Sequence, residues 1–404
     1  MRICYLIPEF PGQTHAFFWR EGKELNTLGV EVAFVSTRRP PRRVTSQPWG
    51  PEAEAATTYL FPLGAASVPT FFSLLRAGPT GWYRAAYTAV IAAEGGAGAR
   101  LRNLLLIAMG ARLAAIARRR GCDHVHVHSC ADAAMVAALA HRLTGLGYSV
   151  TLHGPLQDYG PDQKTKWRFA RFAIVITQKL YNEARERLAG HLPKEVRVAP
   201  MGVRLADFDR QAPYEPYRGR GGARLFSCGR LNAIKGHREL IRAVAALRAQ
   251  GLDVAARIAG EDEQGGSGFR KTLESLIREL GVEDRVELLG AIDEPSVRRE
   301  LERAHAFVLP SYHEPLGVAI MEAMAMQTPV VTTRQGGVTE LVDDGIDGLL
   351  VDAKEVEPLA AQIAKLLADP ALAQRLSEAS RAKIEQRFHS GISAQTIRDL
   401  SATR

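Results

Sequence analysis

Cysteine is scarce in this sequence: the 404 residues hold four, at Cys4, Cys122, Cys130 and Cys228. None forms a C-x-x-C pair or a metal-ligand spacing, so a disulfide framework or cysteine zinc site is not expected. A reducing, cytoplasmic compartment fits best. Long apolar runs are missing as well. The longest, Leu104–Ala111, falls far short of the roughly 18 residues that would span a bilayer. The opening Met1-Arg2-Ile3-Cys4-Tyr5-Leu6-Ile7-Pro8 reads as a strand and lacks the charged-then-apolar order of a signal peptide. No repeat of about 20–50 residues is evident beyond a similarity of the two halves. No basic–aromatic ladder or nucleic-acid motif is present, so no nucleic acid is expected as a partner. The dinucleotide fingerprint G-x-G-x-x-G is also absent. Pro11-Gly12-Gln13-Thr14, at the strand-to-helix position of a phosphate-binding turn, has a single glycine, which argues against an NAD-dependent enzyme.

What is present is an ordinary globular composition, 46% hydrophobic and 24% charged, in a chain long enough for two cores. The net charge of +8 is divided unevenly. Residues 1–205 carry 26 Lys+Arg against 14 Asp+Glu, and residues 206–404 carry 26 against 30. A basic first half suggests an anionic partner. An anionic membrane surface or a lipid diphosphate suits this chain better than nucleic acid. The basic amphipathic stretch Arg100–Arg120, ending Arg118-Arg119-Arg120, is a candidate for such contact, or else a core helix with a solvated outer face.

Apolar strand-like runs alternate with helical patterns twice over, which predicts two doubly wound α/β units. The first has strands near 2–7, 30–36, 123–128, 148–152, 172–177 and 195–199. The second has them near 223–228, 253–259, 284–289, 305–309, 328–332 and 347–351. Residues 38–69 lack periodicity and read as an irregular insertion. The Pro/Gly stretch from Asp209 to Gly222 reads as a linker.

One segment carries most of the functional signal. His313-Glu314-Pro315-Leu316-Gly317-Val318-Ala319-Ile320-Met321-Glu322 follows a buried strand and runs into a helix that Gln327-Thr328-Pro329 stops. Glu314 is expected on the loop at the strand's carboxyl end, and Glu322 about two turns into the helix. The Gly317 and Val318 amides lie at the helix N-terminus, where a phosphate is favoured. Arg230, after an apolar strand, and Lys235, near the start of a helix read as 235–250, can both face a ligand at the strand ends. A lysine opposes the dipole of a helix start, so a bound anion explains it better. His124, His126 and His128 alternate with valine on one strand face and read as core residues, with His128 nearest the carboxyl end. His153 ends another strand beside Gly154. Asp207-Phe208-Asp209 has the form of a D-x-D metal string but falls at the domain junction, and no metal is predicted. The loop Gly260–Gly266 is acidic and suits hydroxyl groups better than phosphate.

These segments resemble, in order, the motifs of retaining, nucleotide-sugar-dependent glycosyltransferases of family 4, which have the GT-B fold and the E-x7-E pair. In the second half the resemblance runs through Phe226-Ser227-Cys228-Gly229-Arg230-Leu231, Lys235-Gly236, Ile258-Ala259-Gly260, Val286-Glu287-Leu288-Leu289-Gly290, the Glu pair and Gly336-Gly337-Val338-Thr339-Glu340. In the first half it is looser: Pro11–Thr14, His126-Val127-His128, Thr151-Leu152-His153-Gly154 and Pro200-Met201-Gly202-Val203. The bacterial exopolysaccharide type is resembled most.

The resemblance implies an acceptor-side domain over 1–205, a linker over 206–222 and a nucleotide-sugar domain over 223–385. It also implies a closing helix over 386–404 that packs back on the first domain, and a donor held in the cleft between them. Glu322 would take the ribose and Glu314 the sugar hydroxyls, with Arg230 and Lys235 on the diphosphate. Gly12, Leu316, Gly317 and Val318 complete the donor set. His153 joins Glu314, Arg230 and Lys235 in the catalytic set, while Gln13, Thr14 and His128 lie on the acceptor side. The expected donor is a UDP-sugar and the acceptor a saccharide, free or lipid-linked, with no metal cofactor. The protein would be cytoplasmic or peripheral on the inner face of the membrane. A GT-B sugar-nucleotide epimerase, a non-catalytic sugar-nucleotide-binding partner and a small natural-product acceptor are the alternatives.

Overall fold

The structure, a computed structural model, describes residues 1–12, 15–40, 47–62, 70, 72, 75–262 and 268–402. The chain divides into two compact units. The first runs from Met1 to Met201 and takes in the closing segment from Gly391. The second is Gly202–Ser390, joined by a short stretch at Gln47 and Pro48.

The first unit is built on a seven-stranded sheet. Its strands are β1 (Arg2–Glu9), β2 (Glu31–Arg38), β3 (Thr58–Phe61), β4 (His124–Val127), β5 (Gly147–Leu152), β6 (Phe172–Val175) and β7 (Glu195–Val198). Their order is β3-β2-β1-β4-β5-β6-β7 and every pairing is parallel. The central strand β1 is Ile3-Cys4-Tyr5-Leu6-Ile7, fully buried throughout. A parallel strand covered on both faces needs such an unbroken apolar run. The last helix, Ser390–Ala402, contributes Ala394 and Ile397 to the core formed by Ile3, Tyr5, Phe18, Trp19 and Phe34.

The second unit has β8 (Ala223–Cys228), β9 (Val254–Ala259), β10 (Val286–Gly290), β11 (Ala306–Leu309), β12 (Val330–Thr333) and β13 (Leu349–Val351). Their order is β10-β9-β8-β11-β12-β13, again parallel. In both units the strand order reverses beside the first strand, between β1 and β4 and between β8 and β11. Open α/β sheets bind ligands at the carboxyl ends of such a pair, because the connecting helices leave to opposite faces there and open a crevice. The fold thus nominates the ends of β8 and β11, and of β1 and β4, before any side chain is considered.

Four expectations are corrected. Residues 38–69 are not wholly irregular: their described part contains a helix, Gly50–Ala56, and edge strand β3. The pattern Thr58-Tyr59-Leu60-Phe61 is too short for alternation to show. The helix read as 235–250 begins at His237, after a 3-10 turn at Ala233–Lys235. Glu322 is the fifth residue of the helix Val318–Ala325, one turn in and not two. Residues 209–222, read as a linker, are fastened to the second unit. Arg210 donates to the carbonyl oxygens of Met326 (2.9 Å) and Glu302 (2.5 Å), and Tyr214 to that of His305 (2.7 Å).

Candidate active site

In the second unit, β8 ends at Cys228 and the chain turns through Gly229 and Arg230. Gly260, at the end of the neighbouring strand β9, has φ +149°, and a methyl group there would overlap the Gly229 carbonyl. The strand ends therefore approach as closely as backbone allows. Asn232 then folds the chain into its 3-10 turn by accepting from the Lys235 amide at 3.3 Å. Gly236 follows at φ +70°, pressed on the Pro310 carbonyl, so Lys235-Gly236 is a cation placed by a turn that only glycine can close. Beneath it His237 is fully buried. Burial pushes its imidazole down to about 4, so it is a neutral packing group.

Across the switch point, β11 ends at Leu309 and Ser311-Tyr312-His313-Glu314 follow. Glu314 is buried, and a buried carboxylate persists only if paired and hydrogen-bonded. Lys235 Nζ forms an ion pair with Oε1, and Ser311 Oγ donates to the same oxygen at 3.0 Å. The backbone of Glu314 is fixed too: its carbonyl accepts from the Gly337 amide at 2.8 Å and it bridges to Gly336. Gly336 has φ +72°, and a methyl there would overlap the Glu314 carbonyl. The Gly336-Gly337 pair is thus the seat of Glu314.

Leu316 is buried, and Gly317, at φ +98°, caps the helix Val318–Ala325. Its first intrahelical bond runs from the Met321 amide to the Gly317 carbonyl at 3.0 Å, so the amides before it project from the helix end. Glu322 lies one turn along. The Cys228 thiol at the end of β8 is pushed up to about 12, first by burial and then by the nearby Glu322 carboxylate, with Lys235 opposing. Glu314, Lys235, Leu316, Gly317, Val318 and Glu322 therefore surround the β8/β11 ends, and Arg230 stands exposed on the loop from β8.

In the first unit, His124 and His126 share Ser149 Oγ, at 2.8 and 2.7 Å, and His126 also bonds Thr151 Oγ1 at 2.9 Å. Both are core histidines: His126 has partners at both ring nitrogens, and His124 at Nε2 alone. His128, at the carboxyl end of β4, differs. Its Nδ1 lies 3.1 Å from His153 Nε2 at the end of β5. Its Nε2 lies 3.2 Å from Oε2 of buried Glu21, off the line of a hydrogen bond. Glu21 accepts from the Tyr5 hydroxyl and from Ser393 on the last helix. His153 Nδ1 is buried without a hydrogen-bond partner among the described residues. Burial pushes this imidazole down to about 3. Gly12 is buried and its carbonyl accepts from the His15 amide at 3.0 Å. Gln13 and Thr14 lie outside the described residues, as does most of the acidic loop after Gly260.

The D-x-D string is otherwise engaged: Asp207 pairs with Arg204 at 3.0 Å, Phe208 is buried, and Asp209 lies 3.5 Å from Arg381. Among the described residues no group of three or more His, Cys, Asp or Glu is placed to hold a metal. Sequence reasoning missed Ser311, Glu21 and Tyr5 as supporting residues. Ser311 had a local signal, three residues before a buried carboxylate. Glu21 and Tyr5 had none, because they meet His128 only through tertiary packing.

Comparison with known proteins gives this arrangement its context. The Glycosyltransferase Family 4 model matches residues 78–207, and the Glycosyl transferases group 1 model matches 219–383. An alpha-D-kanosaminyltransferase of Streptomyces kanamyceticus is 28% identical over 63% of this chain and 70% of its own length. A Salmonella typhimurium protein named for colanic acid biosynthesis, WcaL, is 26% identical over 90% of each chain. With other curated relatives, a mycobacterial glycogen synthase among them, the chain matches about half of their length. Among solved structures, Anabaena HepE in complex with UDP-glucose superposes with a TM-score of 0.75 at 19% identity, covering 100% of both chains. Two consecutive glycosyltransferase family models thus match most of the chain between them, and its two parallel-sheet α/β units have the GT-B architecture of the solved glycosyltransferase-like structure it superposes on.

Proposed function

We propose that the protein transfers a sugar from a nucleoside diphosphate sugar, with retention of configuration and without a metal, to a saccharide or lipid-linked saccharide in exopolysaccharide synthesis. The observation that carries the reading is the ion pair of buried Glu314 with half-buried Lys235, beside a helix N-terminus without a side-chain cap at a topological switch point. Glu314 takes sugar hydroxyls and Glu322 the ribose. Arg230, Lys235 and the Gly317 and Val318 amides meet the charge that grows on the departing diphosphate. Stabilising such developing charge with donors already in place is usually the main source of rate enhancement. His153, with a ring nitrogen unpartnered among the described residues, belongs to the catalytic set and Gly12 to the donor set, while Gln13, Thr14 and His128 belong to the acceptor side. WcaL supports the polysaccharide assignment by matching along nearly the whole chain. The kanosaminyltransferase likeness keeps a small natural-product acceptor as the second reading.

A thermal-shift screen of UDP-, GDP- and ADP-sugars tests the donor, since a ligand that binds only the native state raises its stability. A rise with UDP-sugars and turnover that needs a saccharide acceptor are the expected results. Turnover of the donor to an isomer without acceptor would instead identify an epimerase, and binding without any turnover a non-catalytic partner.

A further inference from the structure

The exposed large apolar side chains are not scattered. Among the described residues, ten of the fourteen lie between Phe61 and Leu105. Most of them sit on two consecutive helices, Gly78–Ile91 and Ala97–Arg120, which share a core with the helix Asp132–Thr144. The first helix buries Ala85 and Ala89 and exposes Tyr83, Tyr87 and Ile91, at i, i+4 and i+8, with the two tyrosine rings stacked at 5.9 Å. The second buries Asn103 and Ile107 and exposes Leu101, Leu104 and Leu105 near its start. Soluble monomers rarely show such a concentration unless something covers it.

Charge along this segment is mostly positive. Arg76, Arg84, Arg100, Arg102 and Arg112 fall within residues 70–112, against the single acid Glu94. Glu94 is tied to the Asp162 amide at 3.0 Å. Arg76, Arg84 and Arg100 are exposed, and no ion pair among the described residues engages them.

The arginines singled out in the sequence, Arg118, Arg119 and Arg120, lie at the other end of the second helix. There Leu113–Ala117 are buried, so no apolar surface accompanies them. They sit in the last helical turn, where cations complement the dipole. Arg120 reaches Thr58 Oγ1 at 3.3 Å.

We propose that the helix pair Gly78–Ile91 and Ala97–Arg120 docks on an anionic lipid bilayer through its Tyr83–Leu105 surface. Aromatic rings with a polar tip and leucines enter the headgroup boundary, and unpaired arginines meet the lipid phosphates. No described helix is long and apolar enough to cross a membrane, so the contact is in the plane of the surface. The surface stands on exposure and charge, while its use for a lipid-linked acceptor rests on the functional reading above.

The test is flotation of the full chain with vesicles of phosphatidylcholine containing phosphatidylglycerol, and with phosphatidylcholine alone. Binding is expected only with the anionic vesicles and should fall as salt rises. Arg76→Gln/Arg84→Gln/Arg100→Gln should bind about 100-fold more weakly, from about fivefold per lost charge at such a surface. Tyr83→Ser/Tyr87→Ser/Leu105→Ser should also lose binding, and Arg118→Gln/Arg119→Gln/Arg120→Gln should keep most of it. All variants should retain the wild-type thermal shift with UDP, which reports folding and the donor site separately. No flotation, or equal loss from the 118–120 variant, overturns the proposal. So does sedimentation showing a dimer that the Tyr83/Tyr87/Leu105 variant dissolves, because a second copy would then be the occupant. Failure of the UDP shift in the wild type would count against the donor reading and leave the vesicle result standing.

Discussion

His128 Nδ1 and His153 Nε2 lie 3.1 Å apart in the first unit, and only one of them can carry the proton between them. The polar group nearest the other nitrogen of His128 is the Glu21 carboxyl, at 3.2 Å. The contact is not a hydrogen bond, but in its ionised form Glu21 attracts the N–H side of the imidazole and so favours the proton on His128 Nε2. His153 must then donate from Nε2, which leaves its Nδ1 an acceptor with no partner among the described residues. Glu21→Gln removes that bias. It should lower kcat about 10-fold, the equivalent of one misdirected hydrogen bond, while UDP affinity stays within about twofold. Nitrogen-15 shifts of the two imidazoles should report the altered tautomers. Unchanged tautomers together with unchanged kcat would remove Glu21 from this role.

The two carboxylates of the second unit should separate by ligand. Glu322→Ala should raise the Kd for UDP about 10-fold, through loss of the hydrogen bonds that ribose hydroxyls donate to an ionised acceptor. Glu314→Gln should leave UDP affinity nearly unchanged and depress kcat about 100-fold. Glutamine is the right replacement, because alanine would strand Lys235 without its partner. Calorimetry with UDP on both variants decides; equal losses of affinity would refute the assignment.

Lys235→Ala should lower kcat by about 100-fold with the melting temperature preserved. If two cations and helix amides serve the diphosphate as proposed, turnover by the wild type should persist in EDTA. Loss of activity in EDTA, restored by Mn²⁺, would point back to Asp207 and Asp209.

Glycine at 336 is a positioning residue for Glu314. Gly336→Ala combines an unfavourable positive φ with overlap on the Glu314 carbonyl, whereas Gly345→Ala has a similar φ of +76° and open space. The control should lose about 1 kcal/mol and retain kcat. The Gly336 variant should lose more stability and most of its turnover. Equal effects in denaturation and kinetics would show that the overlap is relieved elsewhere.

Acid should destabilise the fold. His124, His153 and His237 are pushed down by burial to about 3, 3 and 4, so the native state holds them neutral. The unfolded chain protonates them near their ordinary pKa of about 6.5. Stability is therefore intact above that pH and is lost as pH falls toward the folded values. The slope is about 1 kcal/mol per pH unit for each histidine. Denaturant melts at pH 7, 6 and 5 check this; a flat response above pH 5 would contradict neutral burial.

Sequence alone determined the strands and the local order of residues on the site loop. Periodicity placed twelve of the thirteen strands found among the described residues, because each parallel strand needs a local apolar run and a break. The E-x7-E segment was legible because Glu314, Gly317 and Glu322 are neighbours along the chain. The edge strand β3 was not, since four residues carry no period. Tertiary structure decided everything that joins distant positions. Lys235 meets Glu314 across 79 residues, and Glu21 meets His128 only because β1, β4 and the helix Ala16–Thr27 pack in one layer order. It also decided which end of the Ala97–Arg120 helix is wet. Arginines at 118–120 and leucines at 101–105 look alike as an amphipathic pattern, and only burial of residues 113–117 tells a solvated helix end from an uncovered apolar surface.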